Sequence, residues 1–192
     1  MIDYYDKNAD EFINSTFNCD MSEQYNYFEG YLDNPKIILD LGFGSGRDSL
    51  YFMSKGINVY ALDPNKAFCN NAKKIGIKNI YNIKAQEMEF ENLFDGIWAC
   101  ASLLHISSEK LNFVFKKCSI ALKNKGVMYA SFKYGDFEGE RNGRYFLDLN
   151  EESIKKYLDD TNLIIKEYYI TKDVRANNET KWLNLILVKQ IN

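Results

Sequence analysis

Three glycines on alternate positions, Gly42, Gly44 and Gly46, break the stretch "IILDLGFGSGRDS" directly after a short apolar run. A backbone without Cβ atoms lets N–H groups approach a ligand closely, at the positive end of the helix that follows. A dinucleotide fingerprint would read GxGxxG, but position 47 is Arg, and no GxxxxGK phosphate loop follows. The second feature is Asp63 in "ALDPN", which closes the next apolar run 23 residues after Asp40. That spacing is near the ~20 residues at which a strand-end carboxylate grips ribose hydroxyls in nucleotide-binding sheets. A carboxylate suits the task because its two oxygens accept from two vicinal hydroxyls. The pattern asks for a ligand with a ribose and no obligatory pyrophosphate.

The single histidine, His105 in "SLLHIS", follows a fourth apolar run. It is a candidate general base for an oxygen, nitrogen or sulfur nucleophile, or a hydrogen-bond partner for a neighbouring loop. Arg141 and Arg144 in "YGDFEGERNGRYF", and Arg175 further on, are candidates to clamp a carboxylate or other oxyanion, with solvated surface charge as the competing reading. Arg47 opposes the helix dipole just after the glycine loop, so it either pairs with Asp48 or reaches an anionic group. Tyr4 and Tyr5 either cover a bound ligand or pack an N-terminal helix. Cys19, Cys69, Cys100 and Cys118 are scattered without CxxC spacing, which reads as buried reduced thiols and no metal site.

These residues need elements to hold them. "DYYDKNADEFINST" has helical spacing, with Tyr5, Ala9, Phe12 and Ile13 on one face, and "MSEQYNYFEGYL" reads as a second helix stopped by Asn34-Pro35. Thereafter strands and helices alternate: "KIILDL", "INVYALD", "IKNIYNI", "FDGIWACAS" and "VMYASFK" as strands, separated by amphipathic helices. The helix before "VMYASFK" is expected to run to Gly126, and "NEESIKKYLDDT" to form another. "LIIKEYYIT" and "KWLNLILVK" follow with no helix between them, so they pair as a hairpin and the last strand runs antiparallel. The expectation is a Rossmann-like α/β fold, mostly parallel, in one domain over residues 1–192. Its parts are a helical cap (1–34), a ligand-binding core (35–133), a substrate-side insertion (134–149), and a C-terminal helix with the hairpin (150–192).

The totals agree with that class. A chain of 192 residues, 46% hydrophobic, suits one domain with a sizeable core. A net charge of −3 supplies no basic field for a nucleic-acid backbone, so bulk nucleic-acid binding is not expected. No apolar run approaches the ~20 residues of a membrane span, and the polar start "MIDYYDKNADEF" lacks a signal-peptide core. A cytoplasmic protein, monomer or homodimer, is the expectation.

"ILDLGFGSG", "ALDPN" and "FDGIWACASLLHIS", in that order and spacing, resemble the motifs of class I S-adenosylmethionine-dependent methyltransferases over roughly residues 35–133. Within that superfamily, "GSGRDS", "FDGIWACASLLH" and the late "DVR…WLN" resemble a small bacterial group described as tellurite-resistance-like. The resemblance implies a seven-stranded methyltransferase sheet, S-adenosylmethionine as cofactor and S-adenosylhomocysteine as product. It implies that Gly42, Phe43, Gly44 and Gly46 surround the methionine part, with Asp40 ordering the loop or receiving the amino group. Asp63, followed by Pro64, would hold the ribose, and Gln86 or Glu87 the adenine amine. Cys100 and Ala101 would flank the transferred methyl.

The electrophile of such a reaction is already activated, so the protein must align donor and acceptor, exclude water and, for some acceptors, remove a proton. The "NPPY" of amino-methylating enzymes is replaced by "ACAS", which lowers base N-methylation in rank. The leading expectation is methyl transfer to a small-molecule oxygen, sulfur, metalloid or chalcogen centre, with His105 as catalytic base and Tyr5, Arg47, Arg144 and Arg175 on the substrate. A tRNA nucleoside or peptide carboxylate acceptor, a non-catalytic cofactor-binding module, and an NAD-dependent oxidoreductase are the alternatives.

Overall fold

The structure, a computed structural model, describes residues 2–175 and 178–191. Two helices come first, α1 (Ile2–Thr16), kinked at Asn8, and α2 (Ser22–Glu29). Then β1 (Ile37–Leu41), α3 (Arg47–Ser54), β2 (Asn58–Leu62), α4 (Lys66–Lys74) and β3 (Asn79–Tyr81) wind outward in one direction. The chain returns to the other side of β1 for β4 (Phe94–Ala99), α5 (Ser108–Ala121) and β5 (Leu122–Lys133). A small hairpin, β6 (Glu138–Arg141) and β7 (Arg144–Leu147), precedes β8 (Leu163–Lys172) and β9 (Lys181–Lys189). The seven-stranded sheet has the order β3-β2-β1-β4-β5-β9-β8, with β9 antiparallel to both its neighbours.

Winding reverses between β1 and β4, which makes the carboxyl ends of those strands the switch point where such sheets bind ligands. The glycine loop leaves β1 there, and Cys100 and Ala101 follow β4. Both faces of the central strands are buried, so they read as unbroken apolar runs. Ile97, Ala99, Met128 and Ala130 pack with Leu111 and Phe115 of α5 on one face. Ile38, Trp98, Tyr129 and Ile186 pack with Phe28 and Phe52 on the other. The expected α1 face is present: Tyr5, Ala9, Phe12 and Ile13 lie against Phe43 and the α4 residues Phe68 and Ala72.

Three local expectations are corrected. The helix expected to reach Gly126 ends at Ala121, because Leu122 pairs with Phe94 of β4 and Lys123 forms an ion pair with Asp95 at 2.7 Å. The helix expected in "NEESIKKYLDDT" reduces to turns and one 3₁₀ turn, Lys155–Tyr157. There the Asn150 carboxamide oxygen accepts from the N–H groups of Glu152 and Ser153, and Asp160 and Asn162 take left-handed conformations that no helix continues through. The stretch 134–149, expected to be irregular, contains the β6–β7 hairpin, turned at Asn142-Gly143.

Candidate active site

A cleft with an empty volume of about 1050 Å³ opens at the switch point. Gly42, Phe43 and Gly44 line it from the loop after β1, Cys100 and Ala101 from the turn after β4, and Tyr5 and Phe12 from α1, together with His105, Arg144 and Phe146. A second cavity of about 580 Å³ shares Gly42 and His105 with it and is otherwise lined by Pro64, Lys84, Gln86 and Ser102, among others. Gly42 has φ +79°, and a Cβ there would lie 2.3 Å from the Ser102 Cβ. At Gly44, φ +52°, the Phe12 ring edge stands 3.0 Å from where a Cβ would be. A side chain at Gly42 would strike Ser102 and one at Gly44 would crowd Phe12, both in left-handed conformations that favour glycine, so the loop keeps a bare backbone where it lines the cleft.

The carboxylates around the loop have settled partners. Asp40 is buried and accepts from the Ser49 hydroxyl at 2.6 Å; burial and the charge of Asp48 hold its carboxyl well above the usual range. Asp48 receives Arg47 through two bonds of 2.6 and 2.9 Å, the Trp98 indole N–H at 2.8 Å, and the Tyr25 hydroxyl. Arg47 also donates to the Thr16 carbonyl at 3.1 Å. Of the two roles open to Arg47, the structure shows the pairing with Asp48. Gly46 caps α3 and lines neither void. Burial pushes the Cys100 thiol up to about 12, so it is no nucleophile at neutral pH.

Asp63 sits behind the loop, 6% exposed, with one oxygen accepting from Gly44 N–H at 3.1 Å and the other from Asn65 N–H at 2.8 Å. Burial lifts its carboxyl to about 6, against the lowering effect of those two bonds. Two further lone-pair positions remain for a diol. It lines neither void in this arrangement, in which the rings of Tyr5, Phe12 and Phe68 are mutually packed beside Gly44. Of the two candidates after β3, Gln86 lines the second cavity, whereas the exposed Glu87 turns its carboxylate back onto Lys84 N–H at 2.9 Å.

His105 stands between the two voids with both ring nitrogens engaged. Nδ1 donates to the Tyr145 carbonyl at 2.7 Å, the only role a carbonyl partner permits, which leaves Nε2 to accept from the Tyr5 hydroxyl at 3.0 Å. Burial, with the charges of Arg144 and Lys133, pushes the imidazole down to about 4 despite the bond to Tyr145. It is therefore neutral at pH 7 and a weak base. Arg144 reaches the Tyr5 hydroxyl at 3.4 Å and lies over the Tyr4 and Phe146 rings. Arg175 lines the cleft but is held by both oxygens of Asp173.

Reading the sequence missed Lys133 and Gln24. Lys133 ends β5 inside the cleft, and Gln24 is a buried cleft residue whose Oε1 has no partner. A charged residue closing the apolar run "VMYASFK" at the sheet end that carries His105 was the available signal for Lys133. Among the described residues, no group of His, Cys, Asp or Glu has the arrangement of a metal site, and no helix is long and apolar enough to cross a membrane.

Residues 39–130 match the family model of the methyltransferase domain. Those residues form a methyltransferase domain. An uncharacterized methyltransferase of Staphylococcus carnosus is 24% identical over 78% of this chain and 77% of its own length. The Burkholderia thailandensis 1,6-didemethyltoxoflavin-N1-methyltransferase, solved with its substrate and S-adenosylhomocysteine, superposes with a TM-score of 0.78 at 19% identity, over 99% of this chain and 85% of that one. A methyltransferase of Methanosarcina mazei gives 0.76 at 18% identity, over 88% of this chain and 99% of that one. At those identities the two structures show the fold. The methyltransferase takes S-adenosylmethionine as donor and yields S-adenosylhomocysteine. The residues present fit that cofactor: the cleft and the second cavity share Gly42 and His105 in their linings, and Gln86 and Pro64 line the second cavity beyond them.

Proposed function

We propose that the methyltransferase alkylates a small-molecule acceptor at an oxygen, sulfur, metalloid or chalcogen centre held in the larger cleft. The observation that carries this is the meeting of the two voids at Gly42 and His105. One void has room for the adenosyl part of the cofactor and the other for a second small molecule, bordered by α1, the turn after β4 and the β6–β7 hairpin. Gln86 and Pro64 then face the adenine, Asp63 the ribose, and Gly42, Phe43 and Gly44 the methionine portion. Asp40 and Gly46 shape the loop from behind, and Cys100 and Ala101 border the reacting centre. The cofactor supplies a methyl group on a sulfonium; the chain supplies alignment and exclusion of water.

His105 in this reading is a positioning residue rather than a base. Its free lone pair is taken by Tyr5, and an imidazole at about 4 drives proton removal weakly. The favoured acceptor ionises readily or reacts without losing a proton.

Methyl-labelled cofactor incubated with the protein and separated metabolite, RNA and protein pools tests the proposal. Label is expected in the metabolite pool, and label confined to RNA or protein would overturn it. His105→Asn should slow turnover and leave any limb between pH 5 and 8 in place, since Asp63, at about 6, titrates there and His105, at about 4, does not; loss of that limb in the variant would restore His105 as the base.

A further inference from the structure

We infer that the cleft recognises its acceptor through an oxyanion, a carboxylate or phosphate, held between Lys133 and Arg144. This rests on the methyl-transfer reading of the cleft and names the chemistry of the acceptor, not the atom methylated.

Lys133 and Arg144 come from different elements, the end of β5 and the start of β7, and converge on one ring. The Lys133 ammonium lies 4.3 Å and the Arg144 guanidinium 5.1 Å from the centre of Phe146. Both line the cleft. Neither has a carboxylate within ion-pair distance among the described residues. Their neighbours differ: Arg141 is paired with Asp148, and Arg175 with Asp173. Arg144 also keeps a buried Nε with no partner, and its one side-chain hydrogen bond among the described residues, to Tyr5, is long at 3.4 Å. An unmade buried donor is a standing cost that a ligand oxygen would remove.

The charge balance points the same way. Arg47, Lys133, Arg144, Lys172 and Arg175 line the cleft against Asp48 and Asp173; with Lys172 paired to Glu179, the cations still outnumber the carboxylates in a chain whose net charge is −3. A local positive excess in an acidic protein is an electrostatic funnel for anions. Burial and the charges of Arg141, Arg144 and Arg175 push the Lys133 ammonium below its usual range, against the opposing pull of Asp148. An anion placed between Lys133 and Arg144 counters the crowding of like charge. The planar guanidinium fork adds directional, bidentate hydrogen bonds to that attraction.

The test titrates the full chain with benzoate, phenyl phosphate and benzamide by calorimetry, with and without S-adenosylhomocysteine. The expected result is that one of the two anions binds about tenfold or more tightly than benzamide, the stronger one naming the oxyanion. Lys133→Gln and Arg144→Gln should each weaken that binding about tenfold, equivalent to about 1.4 kcal/mol, with S-adenosylhomocysteine affinity unchanged. Lys133→Gln, at a half-exposed strand end, preserves the test should Arg144→Gln disturb the tyrosine packing. The inference is overturned if neither anion binds, if benzamide binds equally well, or if anion affinity survives both substitutions. It is also overturned if cofactor affinity falls with anion affinity, which would assign the two cations to the cofactor's own carboxylate. Failure of S-adenosylhomocysteine to bind would refute the cofactor reading alone, because the anion titration is also run without it.

Discussion

On the glycine-loop side of the cleft, Arg47 is locked by two bonds to Asp48 and one to a backbone carbonyl, and Asp48 is further held by Trp98 and Tyr25. On the β5–β7 side, Arg144 and Lys133 lie over aromatic faces with no carboxylate partner among the described residues, and a buried donor of Arg144 is unmade. The same residue chemistry serves opposite ends. A cation whose partners are complete braces the wall, whereas one left incomplete keeps its hydrogen-bonding capacity for a ligand. Arginine in a cleft is therefore informative only after its partners are counted.

The contrast can be broken most forcefully at Asp48. Asp48→Ala leaves Arg47 buried without its counter-charge, and removing one member of such a pair costs about 3–5 kcal/mol. Denaturant unfolding should show that loss, whereas Lys133→Gln should change stability by less than about 1 kcal/mol. Equal losses at the two positions would erase the distinction between the sides.

The pH dependence of stability sharpens it next. His105 is depressed from 6.5 to about 4, so the unfolded chain binds more protons in that window and stability falls as pH drops through it. Asp63 is raised from 3.8 to about 6, so stability falls as pH climbs through nearly the same window. Each amounts to about 3 kcal/mol, with opposite sign. Beyond any constant offset, His105→Asn should gain stability relative to wild type toward pH 4, and Asp63→Asn toward pH 7. Parallel pH profiles for the two variants would contradict both assignments.

Gly42→Ala must place a methyl group into Ser102 at a left-handed position, a strain of at least about 1–2 kcal/mol before the clash is counted. Cofactor affinity should fall with stability, since the same backbone faces both voids. The smallest effect belongs to Tyr5→Phe, which removes the bond to His105, worth about 1 kcal/mol, and the long contact from Arg144. Losing the donor that favours the neutral ring should also raise the His105 pKa from about 4, observable by NMR titration of the single imidazole.

Much of this was legible in the sequence because it is local. The alternate glycines directly follow one apolar run and Asp63 closes the next, and the switch-point topology follows from strand–helix alternation. The helix over "NEESIKKYLDDT" was misread because its spacing is helical while Asn150 offers the backbone a competing turn. Lys133 carried no motif, and its meaning comes from Phe146, Arg144 and Asp148, which only the folded sheet brings near. The choice between Gln86 and Glu87 likewise depended on one backbone bond, from Lys84 to Glu87.

Calorimetric titration of the protein and of Asp63→Ala with S-adenosylhomocysteine and with NAD bears most directly on the whole account. Wild type should bind S-adenosylhomocysteine and not NAD, and Asp63→Ala should lose most of that affinity while remaining folded. Binding of NAD, or undiminished S-adenosylhomocysteine affinity in Asp63→Ala, would contradict it.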